Sequence, residues 1–310
     1  MDGDERSPEL ALAQRVCPLD MDLPALTPRI LADNEALTGH LFWVEGINNT
    51  SWHQWRAFLT EYAHACRGTS ILRRSLFCIP LIAPFPADRP STDICLAVHE
   101  WRGAVDRLDM LLYVASILPP EPGKELKRRL RTEIIAALAL WDPVLADHLV
   151  SANLEDLLSP ARLLSEFVLQ EGWQIHPSGV CDWQAGFTNS FEGQDRLHSA
   201  VLSVKAMEDE IAHRVWSAEV AVLLPFVEEQ RQILIRQLSC FLQVPFTTRF
   251  GDTIDDVRDL EIGHIEGQLA TCRQPISRAV RRSVELLRAI RNCLSHQEVV
   301  PPSILCELIS

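Results

Sequence analysis

Residues 276–296 read ISRAVRRSVELLRAIRNCLSH. Ile276, Val280, Val284, Leu287, Ile290 and Leu294 recur every three or four positions, which draws one apolar stripe along a helix. Arg278, Arg281, Arg282 and Arg288 project elsewhere, and Pro301-Pro302 stops the pattern soon after His296. The same period predicts helices over 124–141, 143–158, 160–171, 206–243 (with a kink at Pro225) and 257–272. Residues 124–310 therefore read as a mostly α-helical C-terminal bundle. The exception is 172–200, rich in Gly and Trp and without a clear period, which reads as an irregular binding or interface loop.

Upstream of Pro119-Pro120-Glu121-Pro122-Gly123, a breaker run that marks a domain boundary, the pattern changes. Leu41 to Val44 is a compact apolar run that predicts a buried strand. Ser51 can cap a helix over 52–67, where Trp55, Phe58, Leu59, Tyr62, Ala65 and Cys66 share helical spacing. Leu76 to Ala83 and Ile94 to Val98 predict two more strands, and 105–118 a second helix. Strands alternating with helices predict an α/β N-terminal module over 39–118, a short parallel sheet flanked by helices. Residues 1–38 are polar and interrupted by prolines, and read as an N-terminal arm with one short helix around Glu35.

The chain of 310 residues is 47% hydrophobic, which suits globular domains with real cores, and has no run of about 18 apolar residues for a membrane helix. Its first residues, MDGDERSPEL, lack a basic segment followed by an apolar one, so a cytoplasmic location without membrane association is expected. Nine cysteines are scattered and none forms C-x-x-C, the pattern of reduced thiols packed as small hydrophobes. Net charge is −13, which repels long nucleic acid as a whole. Between Arg273 and Arg291, however, stand six arginines and a single acid, Glu285. Such a stripe on an acidic chain is either a local anion site or a helix face that meets an acidic partner.

The end of that helix, Arg291-Asn292-Cys293-Leu294-Ser295-His296, carries the one chemically specific pattern. RNA cleavage without a metal needs a base for the 2′-OH, a cation for the charged phosphorane and an acid for the leaving 5′-oxygen. Histidine titrates near neutrality and serves as base or acid, while arginine presents a permanent, fork-shaped charge to phosphate. Asn292 can orient the imidazole or donate to a phosphate oxygen. One copy supplies one histidine, so two chains placing their motifs face to face suit the chemistry better. The alternative is plain helix closure: Arg and His favour the negative end of the helix dipole, and Asn and Ser are natural terminators.

On these residues the chain resembles the HEPN superfamily, helical bundles whose catalytic members carry R-x4–6-H, often R-N-x-x-x-H, in a late helix. The resemblance covers the terminal helix, extending toward the helices from 206 onward. It implies a metal-independent endoribonuclease with Arg291, Asn292 and His296 as catalytic residues. RNA and other proteins of a bacterial conflict system (phage defence or toxin) are the implied partners, with a homodimer as the working state and no cofactor. Arg278, Arg281, Arg282 and Arg288 are the matching candidates for RNA phosphate contacts. The 39–118 module resembles a degenerate P-loop NTPase of the AAA+ or STAND kind, with 41–44 and Glu45 in the manner of a Walker B strand. No G-x-x-x-x-G-K-[ST] is present, so the resemblance implies a module that does not hydrolyse nucleotide. A generic α/β domain is the alternative. A non-catalytic scaffold or adaptor, binding partner proteins through this module and the 172–200 loop, is the rival functional reading.

Other patterns carry less. Glu45, His53, His99 and Glu100 lie near the ends of expected strands, where open α/β sheets bind ligands, but each position is ordinary for a structural residue. His148, His176, His198, His213 and His264 show no paired metal spacing. Trp141, Trp173, Trp183 and Trp216 read as core.

Overall fold

A computed structural model describes residues 7–16, 26–47, 49–81, 91–99, 101–175, 186–248, 250–272 and 275–309. The protein is mostly α-helical, with one short two-stranded parallel sheet. It packs as two compact units, one built from the described residues up to Trp101 and the other from Arg102 onward.

The first unit runs α1 (Pro8–Val16), α2 (Pro28–Ala32), a 3-10 turn at Glu35–Leu37, β1 (Leu41–Trp43), α3 (Asn49–Ala65) and β2 (Leu76–Cys78). β1 and β2 pair in parallel, with Phe42 opposite Phe77 and α3 as the crossover between them. Side chains alternate across a strand, so Phe42 and Phe77 face α3 while Leu41, Trp43 and Leu76 face outward and stay exposed. The Phe77 ring lies 5.7 Å from Phe58 and 5.3 Å from Tyr62, both edge-on. The Ser75 N–H donates to the Tyr62 hydroxyl at 3.2 Å, which fixes the entry to β2.

Two expectations for this unit are corrected. The N-terminal stretch is more than a polar arm: Leu12, Leu31 and Leu37 join Phe42, Trp52 and Phe58 in one buried cluster. Local chemistry starts α2, where Thr27 caps the Ile30 N–H and Pro28 occupies the first turn. The third strand, 94–98, does not form. The Asp93 carboxylate accepts the N–H groups of Cys95 and Leu96 at 2.7 and 2.9 Å, and Ile94 is 94% exposed. Backbone donors consumed in that turn are lost to a sheet ladder. The strand expected over 76–83 ends at Cys78, and residues 82–83 lie outside the described residues.

The second unit begins with α4 (Arg107–Ile117), α5 (Glu125–Ala139), α6 (Pro143–Val150), α7 (Leu154–Leu158) and α8 (Ala161–Gln170). Then follow a hairpin of β3 (Thr188–Phe191) and β4 (Gln194–Leu197), α9 (Ser199–Val204) and the 30-residue α10 (Glu208–Gln237). A small antiparallel pair, β5 (Phe246–Thr247) and β6 (Thr253–Ile254), leads into α11 (Ile262–Thr271), α12 (Arg278–Ser295) and α13 (Pro302–Ile309). α5 and α10 form the spine, contributing Leu130, Ile134, Leu138, Val215, Val222 and Leu223 to the core.

The breaker run at Pro119–Gly123 joins α4 to α5 inside this unit, and α4 packs on α5 and α6. Its Met110 and Val114 need that cover. The helix expected over 143–158 divides because Asn153 caps a new start, accepting the Asp156 N–H at 2.8 Å. α10 continues unbroken through Pro225. α13 was absent from the sequence expectation.

The 172–200 segment also differs from a free loop, although residues 176–185, with Trp183, lie outside the described residues. Its hairpin is pinned to the core. The Arg214 guanidinium donates to Ser199 Oγ at 2.6 Å and to the Leu197 carbonyl at 2.9 Å, and burial pulls it down to about 10. The Ala200 N–H donates to His198 Nδ1, so Nε2 carries the ring proton and donates to Asp142 at 3.2 Å. Trp141, Phe167 and Trp173 enclose that imidazole.

Candidate functional site

α12 is positioned by its sequence stripe. Ser277 caps it by accepting the Val280 N–H at 3.2 Å, and Val284, Leu287, Ile290 and Leu294 are buried against α10 and α11. At its far end the backbone closes on itself. His296 is the C-cap, and Gln297 takes the left-handed conformation at φ 60. The Glu298 N–H donates to the Cys293 carbonyl at 2.9 Å and the Gln297 N–H to the Leu294 carbonyl at 3.3 Å. This pair of bonds is a Schellman closure with glutamine where glycine is usual. It leaves the His296 side chain exposed.

α10 supports this end from beneath. Trp216 Nε1 donates to the Leu294 carbonyl at 2.9 Å, and Glu219 Oε2 accepts the Val300 N–H at 2.9 Å. Glu219 is 0% exposed, and its Oε1 is buried without a hydrogen-bond partner among the described residues. Burial pushes its carboxyl up to about 8, against the weaker opposing pull of the Val300 N–H, so the neutral acid dominates at neutral pH. The Cys293 thiol is pushed up by burial and by the neighbouring Glu298 and Glu219, which keeps it protonated and poorly nucleophilic.

Arg291 faces the other way, toward α11. Its side chain is 40% exposed, and Nη2 donates to Glu261 Oε2 at 2.8 Å. The pair borders an open groove of ≈ 340 Å³ with an apolar floor of Leu224, Val227 and Ile262. Three arginines (Arg231, Arg258, Arg291) and three carboxylates (Glu228, Asp259, Glu261) rim it, so their charges cancel. Hydrogen bonds from Arg231 lead in pulling the Glu228 carboxyl down to about 2. His296 does not line this groove. Within one chain, then, Arg291 and His296 share a helix end and are both accessible, but they do not share this hollow. Asn292 is half-buried beside them.

The remaining candidate arginines are spread along α12. Arg281 donates to the Leu269 carbonyl at 2.6 Å. Arg282 makes a bidentate pair with Glu307 of α13 and also reaches Glu285, and Arg288 pairs with Glu266 of α11. Arg278 is exposed in the first turn, and Arg273 lies outside the described residues. Of the stripe that reads in sequence as an anion site or a face for an acidic partner, Arg282, Arg288 and Arg291 meet carboxylates within their own chain.

Elsewhere, Glu45 accepts Trp43 Nε1 at 2.6 Å, and Glu100 lies outside the described residues. Among the described residues, no group of three or more His, Cys, Asp or Glu side chains is placed to hold a metal ion. None of the described helices is long and apolar enough to cross a membrane.

Sequence reasoning missed Glu219 and Glu261. Glu219 had a signal. It stands at i+4 from Val215 and i−4 from Leu223, a charge on an apolar stripe, and such a residue is either paired or functional. Glu261 had none, because its meeting with Arg291 spans 30 residues. No family model matches the chain, and neither a curated protein nor a solved structure matches it.

Proposed function

We propose that the chain is a metal-independent endoribonuclease of a bacterial conflict system, acting through Arg291, Asn292 and His296 at the end of α12. The observation that carries this reading is accessibility: the imidazole is exposed and the guanidinium half-exposed, at one helix end whose closure engages neither the Arg291 nor the His296 side chain. Two copies bringing these ends together supply two imidazoles. One takes the proton of the 2′-OH as the oxygen attacks phosphorus. The other gives a proton to the departing 5′-oxygen, which leaves a 2′,3′-cyclic phosphate. The Arg291 guanidinium balances the added charge on the phosphorane. The first unit, with no phosphate-cradling loop in its sequence, serves as a non-hydrolysing module. Expression of the wild-type chain is expected to arrest growth with loss of cellular RNA, and His296→Ala to relieve both. Equal arrest by the two would end the proposal.

A scaffold or adaptor role is the second reading, favoured by a different observation. Parallel sheets are normally covered on both faces. Here Leu41, Trp43 and Leu76 leave one face of the β1–β2 pair apolar and exposed, the kind of surface that binds protein.

A further inference from the structure

We propose that Glu261 guards Arg291: its carboxylate holds the guanidinium at the place an RNA phosphate would take, and RNA binds the end of α12 only by displacing it. This rests on the reading of that end as an RNA site.

Glu261 is placed for such a role. It is the N-cap residue of α11, where its backbone N–H donates to His264 Nδ1 at 3.2 Å. Its carboxylate is 58% exposed and reaches across to α12, where Oε2 accepts from Arg291.

The other cations of the groove are differently held. Arg231 is anchored by the carbonyls of Arg258 and Leu260 at 2.8 and 2.7 Å as well as by Glu228. Arg258 is chelated by Asp256, two residues away in the same turn. The Arg291 pair joins two exposed side chains on two different helices, so it is the one that opens without disturbing a turn or a carbonyl anchor.

The same arrangement recurs along α12, where Glu266 holds Arg288 and Glu307 holds Arg282. Carboxylates of α11 and α13 thus stand along the arginine row as internal substitutes for phosphate. An exposed pair is worth no more than about fivefold in an equilibrium. A phosphodiester that offers two oxygens to the guanidinium and releases counterions can therefore compete with it.

The test is fluorescence anisotropy of a labelled single-stranded RNA with the full chain and its variants. Glu261→Gln is expected to tighten binding about 2- to 5-fold. Arg291→Ala should weaken it, and the double variant should bind like Arg291→Ala alone. Glu166→Gln on α8 removes one exposed charge from a surface ion pair elsewhere and should leave affinity unchanged. Tightening by Glu166→Gln equal to that by Glu261→Gln would reduce the effect to net charge and overturn the guard. Unchanged affinity in Glu261→Gln, with weakening in Arg291→Ala, would overturn the guard while leaving the RNA site intact. No effect from either variant would remove the RNA site itself.

Discussion

Glu219 and Val300 are joined by a hydrogen bond that crosses from the middle of α10 to the chain beyond α12, the Val300 N–H donating to Oε2 at 2.9 Å. The second carboxyl oxygen is buried and unpaired among the described residues. A native protein keeps such an oxygen rarely, because an unmet buried polar atom costs about 1–3 kcal/mol. The bond ties down the segment that follows His296, so the imidazole extends from a fixed turn.

This carboxyl makes stability depend on pH in a definite direction. Its folded value, about 8, lies above its ordinary value of 4.5. Its contribution is fully present below the ordinary value and is lost as pH rises toward 8, since the unfolded chain ionises first. Between pH 5.5 and 8.5 the loss is about 3 kcal/mol at most. Urea midpoints at the two pH values are expected to fall further for wild type than for Glu219→Gln. Parallel pH profiles would contradict the assignment.

Gln297 occupies a left-handed position at φ 60 where a Cβ is strained. Gln297→Gly is expected to stabilise the second unit by about 0.5–1 kcal/mol, read as a raised urea midpoint. A lowered midpoint would mean that the closure after His296 is wrongly described.

α13 is held to α12 by a bidentate Arg282–Glu307 pair, yet its docking should depend on packing. Leu305 is 0% exposed, whereas both charged side chains stand in water. Leu305→Ala is expected to cost about 2–4 kcal/mol in urea unfolding. Glu307→Gln should leave the midpoint unchanged. The reverse order would show that the ion pair carries the contact.

The parts of the fold that were legible in sequence are those written in local periods. The stripe Val284, Leu287, Ile290 and Leu294 predicted α12 within a few residues, and Trp55, Phe58 and Tyr62 predicted α3. Breaker residues misled where the break was only a tight connection, as at Pro119–Gly123 between two packed helices. The apolar run 94–98 promised a strand, but Asp93 took its backbone donors. Leu12 and Leu31 were read into a polar arm because the residues that bury them, Trp52 and Phe58 among them, come from other elements. At the candidate site, the spacing of Arg291 and His296 was visible, and so was the density of arginine. The neutralisation of that row by Glu261, Glu266 and Glu307 was not, since each pair joins residues at least 22 positions apart.

RNA cleavage by the purified chain in excess EDTA tests the central claim most directly, comparing wild type with Arg291→Ala and His296→Ala at equal folded concentration. The account predicts cleavage to 2′,3′-cyclic phosphate ends by wild type, with a loss of roughly 10²-fold or more in each variant. An inert wild type, or variants that cleave as fast as it does, would contradict the account.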